Sequence, residues 1–249
     1  MPLWREASRA AYLRNGIPVP KMNERENVAT VNQDSGRLMV KVKICGITNW
    51  TDARRAVAAG ADFLGFNFYP PSPRYIPPAK ARRIARRLPQ RTRIVGVFVN
   101  EPEANMLRIA RVVGLDFLQL HGDETPEVVS RLRRSISVIK AVRVRKSFRP
   151  AQLARFKRAT AVLLDGFELN RYGGTGKTFN WLVARHARPA GRIFLAGGLT
   201  PENVAAAIRA VGPYAVDVCS GVEARPGKKD PRRIKAMMEA VKNSRRRPR

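Results

Sequence analysis

Cysteine is scarce in this chain: two residues in 249, at positions 45 and 219. So wide a separation makes neither a disulfide framework nor the clustered spacing of a metal site. Long apolar runs are missing as well. None approaches the ~18 residues that a membrane-spanning helix needs. The N-terminus has no 7–15-residue apolar core of the kind found in a secretory leader, so the sequence reads as cytoplasmic. Aromatic residues make up only 7%, too few to interleave with basic side chains as a stacking platform for single-stranded nucleic acid. Acidic residues are also few, 19 against 48 lysines and arginines, leaving a formal net charge of +29.

A charge of this size points toward nucleic acid, but its distribution argues otherwise. Residues 1–38 carry +2 and the tail from Lys242 onward +5, while the other +22 is spread along residues 39–241. Much of it comes as arginine pairs, such as Arg82/Arg83, Arg86/Arg87 and Arg133/Arg134. On amphipathic helices these form solvated outer faces. No specific nucleic-acid partner is expected, and weak polyanion binding at low salt is.

What is present is a repeat. Residues 1–38 have no sustained periodicity and read as a loose extension, with Met39 a second candidate start. From there, short apolar runs alternate with amphipathic stretches to about residue 242, followed by a basic tail over 243–249. Strands are predicted at 40–45, 62–66, 93–99, 116–120, 136–141, 160–165, 192–196 and 214–218. Helical spacing is found at 51–59, 78–88, 102–113, 124–134, 150–158, 201–211 and 230–242, with a shorter stretch at 179–186. Strands alternating with helices give βαβ units and a parallel sheet. Eight units in this length fit a single-domain (β/α)8 TIM barrel, although order alone does not prove closure and a doubly wound sheet stays open.

In a barrel the chemistry sits at the C-terminal strand tips. Polar and glycine residues collect there: Cys45-Gly46, Asn67, Asn100, His121-Gly122, Ala141, Asp165-Gly166, Gly197-Gly198 and Ser220-Gly221. Glycine-rich stretches follow the last three strands: "YGGTGKT" at 172–178, "AGGL" at 196–199 and "CSGVE" at 219–223. Glycine lets a backbone approach an anion closely, and phosphate sites in this fold commonly use the loops after strands seven and eight. A nucleotide P-loop is excluded, because Arg171 stands where its first glycine is required and no strand directly precedes the loop. "CGIT" after the first strand holds one glycine, so the dinucleotide fingerprint is absent too.

Taken in order, "VKICGITNW", "GADFLGFNFYPPSPRYI", "RIVGVFVNE", "LQLHGDE", "VIKAV", "LLDG", "YGGTGKTFNW", "AGGLTPENV" and "VDVCSGVEARPGKKD" resemble the phosphoribosylanthranilate isomerases of tryptophan biosynthesis. The resemblance covers residues 40 to about 242. It implies a (β/α)8 barrel working without cofactor or metal, as a monomer or homodimer, on a phosphorylated small molecule. The implied reaction is the Amadori rearrangement of N-(5-phosphoribosyl)anthranilate, which needs an acid at the sugar ring oxygen and a base at C2. By resemblance Cys45 is the base and Asp165 the acid. A thiol suits the task because its ordinary pKa near 8.5 falls in a positive field.

Arg74, in the proline-stiffened loop "PPSPRYIPP", is implied to hold the anthranilate carboxylate. Gly173, Gly174, Gly197, Gly198, Ser220 and Gly221 are the expected phosphate side. His121 lines the pocket as a neutral, orienting residue or a proton carrier, and Asp217 reaches a sugar hydroxyl or serves structure. Cys219 departs from the family's usual serine. Two other readings remain: an isomerase of histidine biosynthesis, which uses a carboxylate where this chain has Cys45, and a non-catalytic basic barrel that binds nucleic acid.

Overall fold

A computed structural model describes residues 40–145, 147–166, 181–187 and 191–244. Eight parallel strands close on themselves in sequence order: β1 (Lys41–Ile44), β2 (Phe63–Asn67), β3 (Arg93–Phe98), β4 (Phe117–Leu120), β5 (Ser137–Val144), β6 (Ala161–Gly166), β7 (Ile193–Leu195) and β8 (Ala215–Val218). The last strand pairs with the first in the register Lys43↔Asp217 and Ile44↔Val218, so the sheet is a barrel and not an open doubly wound fold. The helices are α1 (Trp50–Ala58), α2 (Pro78–Ala85), α3 (Glu103–Val113), α4 (Pro126–Leu132), α5 (Trp181–Arg185), α6 (Val204–Val211) and α7 (Pro231–Asn243). Asn49 caps α1 by accepting from Asp52 N, and Asp230 caps α7 ahead of Pro231.

Two apolar layers follow from the pleat. Outward strand residues such as Ile44, Leu64, Leu118 and Leu164 pack under the helices. Inward residues Phe63, Val95, Phe117, Ile139, Leu163 and Phe194 fill the barrel itself, with Phe63 edge-on to Phe117 and Phe194 at centroid distances of 5.8 and 5.3 Å. Arg83, Arg86, Arg87 and Arg134 lie exposed on the outside, and Arg87 rests 4.0 Å over the Trp50 ring.

Two local expectations need correction. The segment expected to be helical over 150–158 is a 3₁₀ helix, Pro150–Phe156. Its core-facing residues Leu153 and Phe156 are three apart, the 3₁₀ period, so a short helix of that kind is what they anchor. The fifth strand runs past Ala141 to Val144, paired with β6 as far as Val144↔Gly166. The expected extension over 1–38 and most of the 243–249 tail lie outside the described residues. Among the described residues no helix is long and apolar enough to cross a membrane.

Candidate active site

Along each strand the inward positions change character from bottom to top. On β4 they read Phe117, Gln119 and then His121. On β6 they read Leu163 and then Asp165, and on β8 Ala215, Asp217 and then Cys219. The bottom fills the barrel with rings and aliphatics, and the top opens into a cavity of about 450 Å³ lined by Cys45, Arg74, His121, Asp165, Asp217 and Ser220 among others.

The first strand delivers a cation as well as a thiol. Lys43, two residues before Cys45 and on the same face, is wholly buried. Its Nζ donates to both carboxylate oxygens of Asp217 at 2.9 Å. Burial depresses the Lys43 ammonium, but the charges of Asp217 and Cys45 outweigh it and hold the group above its ordinary range. Burial likewise pushes the Asp217 carboxyl up to about 7, against the pull of Lys43. Above neutral pH the pair is charged.

Cys45 sits over this pair. A hydrogen bond from the Cys219 thiol and the field of Lys43 together overcome burial and hold the Cys45 thiol well below the usual range. Cys219 gives up its proton correspondingly late, because it donates to Cys45 and is itself buried. Gly65 on β2 makes the room: a Cβ there would stand 2.8 Å from Cys45 Sγ and 3.2 Å from Lys43 Nζ.

Opposite lies a carboxylate. Asp165 Oδ2 is 3.2 Å from His121 Nε2, and His121 Nδ1 is 2.9 Å from Gln119 Nε2. His121 thus bridges the Gln119 amide and the Asp165 carboxylate. It is therefore placed to orient Asp165. The loop that carries it is pinned from below: Glu124 accepts from Gly122 N and Asn100 N and pairs with buried Lys140 at 2.7 Å.

Arg74 does reach the cavity, but its bidentate edge is occupied. Nε donates to Glu223 at 3.0 and 3.1 Å and Nη2 to Glu223 at 2.7 Å. Nη1 takes no part in these bonds. Glu223 begins the short strand β9 (Glu223–Arg225), antiparallel to β10 (Lys228–Lys229), and also accepts from Lys229 Nζ at 2.8 Å.

On the remaining side Gly197, Gly198 and Ser220 line the cavity. Gly197 and Gly198 have φ of 84° and 62°, a backbone that only glycine adopts freely. Gly221 packs closely on the loop after β7: a Cβ there would overlap the Leu199 carbonyl. Gly173 and Gly174 lie outside the described residues. No group of three or more His, Cys, Asp or Glu side chains gathers as a metal site among the described residues.

Comparison with known proteins was decisive. A family profile described as N-(5'phosphoribosyl)anthranilate (PRA) isomerase matches residues 42–240. The N-(5'-phosphoribosyl)anthranilate isomerase of Pelobacter propionicus is 50% identical over 207 residues, covering 83% of this chain and 98% of the relative. The chain belongs to that family. The solved structure of phosphoribosyl anthranilate isomerase from Thermotoga maritima is 45% identical with a TM-score of 0.76, covering 82% of this chain and 100% of that one. Another isomerase structure, solved in complex with reduced 1-(o-carboxyphenylamino)-1-deoxyribulose 5-phosphate, is 44% identical with a TM-score of 0.73, with the same coverage. The family's activity is an aldose–ketose isomerisation in tryptophan biosynthesis, and this chain is an enzyme of that kind.

Lys43, Gln119 and Glu223 were not singled out from the sequence. Lysine in an alternating strand reads as solvent-facing, and only closure of the barrel brings Asp217 beside it. Glu223 meets Arg74 from 149 residues away. Its one sequence signal is a carboxylate inside the "CSGVE" loop of the barrel mouth.

Proposed function

We propose that the cavity carries out the Amadori rearrangement of N-(5-phosphoribosyl)anthranilate, with Asp165 as acid and Cys45 as base. The observation that carries this reading is that Cys45 and Asp165, on strands three places apart around the barrel, face one cavity. Asp165, with Oδ2 held by His121, delivers a proton from Oδ1 to the furanose ring oxygen. The C1–O bond breaks and the anthranilate nitrogen supplies the pair that makes the Schiff base. The Cys45 thiolate then takes the C2 proton, giving the enolamine, which tautomerises to the ketone. Lys43 and Cys219 favour the Cys45 thiolate, the form a general base requires, where an ordinary thiol is mostly protonated at neutral pH.

The substrate's two anionic ends have separate supports. Gly197, Gly198 and Ser220 receive the phosphate, with Gly173 and Gly174 as further proposed members. The Nη1 end of Arg74 meets the carboxylate, and Glu223 fixes the guanidinium plane. Asp217 is committed to Lys43 and acts beneath the sugar, through that charge.

Steady-state kinetics with the anthranilate substrate test the assignment. In Cys45→Ser and Asp165→Asn separately, kcat is expected to fall by the ~10²–10⁴ that a general acid or base contributes, with KM little changed. Near-normal kcat in either variant would remove that residue from its role.

A further inference from the structure

Both of the chain's cysteines meet at the cavity, and the reaction needs only one as a base. β1 and β8 are neighbours with Lys43 opposite Asp217. Side chains two apart on a strand share a face, so the next inward pair up the barrel is Cys45 and Cys219. Adjacent strands lie about 4.7–4.9 Å apart, inside the ~4.4–6.8 Å separation of α-carbons that a disulfide spans. The ladder persists at this level, since Cys45 N donates to the Val218 carbonyl at 2.9 Å. Both thiols line the cavity, open to whatever enters by the substrate's route. Lys229 Nζ lies 3.8 Å from Cys219 Sγ, adding positive charge beside the second sulfur.

We propose that Cys45 and Cys219 are a reversible oxidation site, joining as an intramolecular disulfide when a peroxide enters the cavity. The Cys45 thiolate attacks one peroxide oxygen. The O–O bond breaks, the second oxygen leaves as hydroxide and takes up a proton as water, and Cys45 becomes the sulfenic acid. The Cys219 sulfur then attacks the Cys45 sulfur. The S–O bond breaks, S–S forms, and the departing hydroxide takes the Cys219 proton. Two thiols and one peroxide give one disulfide and two waters, with two electrons passing from sulfur to oxygen. The enzyme is switched off because the Cys45 sulfur, neutral in a disulfide, is far too weak a base to take a proton from carbon, a consequence that rests on the base assignment above. Cys219 meanwhile shields Cys45 from the irreversible higher acids, and a dithiol reductant restores both.

The test exposes the full chain to a slight excess of hydrogen peroxide and follows intact mass, non-reducing peptide mapping and turnover together. Expected are a mass loss of two hydrogens, a crosslinked pair of peptides carrying positions 45 and 219, and activity reduced ~10²–10⁴-fold in the oxidised fraction. Dithiothreitol should reverse all three. In Cys219→Ser, measured against its own untreated rate, oxidation should add two or three oxygens to Cys45, with no recovery on reduction. Accumulation of oxygenated Cys45 in the unmodified chain without a crosslinked peptide would overturn the proposal. So would equally reversible inactivation of Cys219→Ser. A crosslink that forms while turnover persists would leave the oxidation site standing and remove Cys45 as the base.

Discussion

At the scale of single residues, the site depends on where one proton resides between two sulfurs. The Cys219 thiol beside Cys45 keeps that thiol low, with Lys43 adding its field against burial. Only the deprotonated base works, so the acid limb of kcat/KM marks the pH at which Cys45 gains a proton in the free enzyme. Cys219→Ala deletes the donor, the Cys45 thiol rises, and the acid limb is expected to move to higher pH. A pH–rate profile of the two proteins checks this, and coincident limbs would show that the hydrogen bond has no part in holding the thiolate.

At the scale of elements, the inward pair Lys43–Asp217 ties the first strand to the last. Removing one partner leaves the other buried and unpaired. Lys43→Met is expected to cost about 3–5 kcal/mol, while Lys43→Met with Asp217→Leu recovers most of it. Denaturant unfolding of the two singles and the double closes the cycle. The loss in Lys43→Met also depends on pH. Without the cation Asp217 titrates above the value of about 7 it has beside Lys43. A folded-state pKa above the unfolded one near 3.9 means the native state holds the extra proton across that window. Stability of the variant, relative to the parent, should therefore fall as pH rises above about 7, where the parent's Asp217 is already charged and the variant's still holds its proton.

This pair also shows what the sequence could and could not reveal. The strands were legible because each is a short apolar run bounded by a helix start or a glycine, and the rim of the cavity was legible because Cys45, His121 and Asp165 end their runs. Lys43 was not, because its partner lies 174 residues away and only closure of the sheet pairs them. Arg74 was found but its Glu223 clamp was missed for the same reason. The 3₁₀ segment at Pro150–Phe156 was misjudged because spacings of three and four look alike in so short a stretch.

At the scale of the whole molecule, the charge of +29 carries a cost. The arginines of the outer helices surround a barrel with few surface acids, so like charges repel in the compact state. Added salt screens them over a Debye length of about 8–10 Å near physiological strength. Thermal melts from low salt to 0.3 M NaCl should rise, by about 2–4 °C for each kcal/mol of repulsion relieved. A melting temperature indifferent to salt would mean that the arginines are spaced widely enough not to interact.

The seam between β1 and β8 has a consequence for synthesis. A ribosome makes Lys43 early and Asp217 174 residues later, a delay of roughly 10–35 s at ~5–20 residues per second. Over that interval the nascent first strand has neither its lateral neighbour nor the counter-ion for its ammonium. Any catalytic thiolate must wait with it, since the Cys45 donor comes from the same late strand. A chain truncated before β8 lacks both Asp217 and Cys219, so turnover should appear only once the last strand has been made.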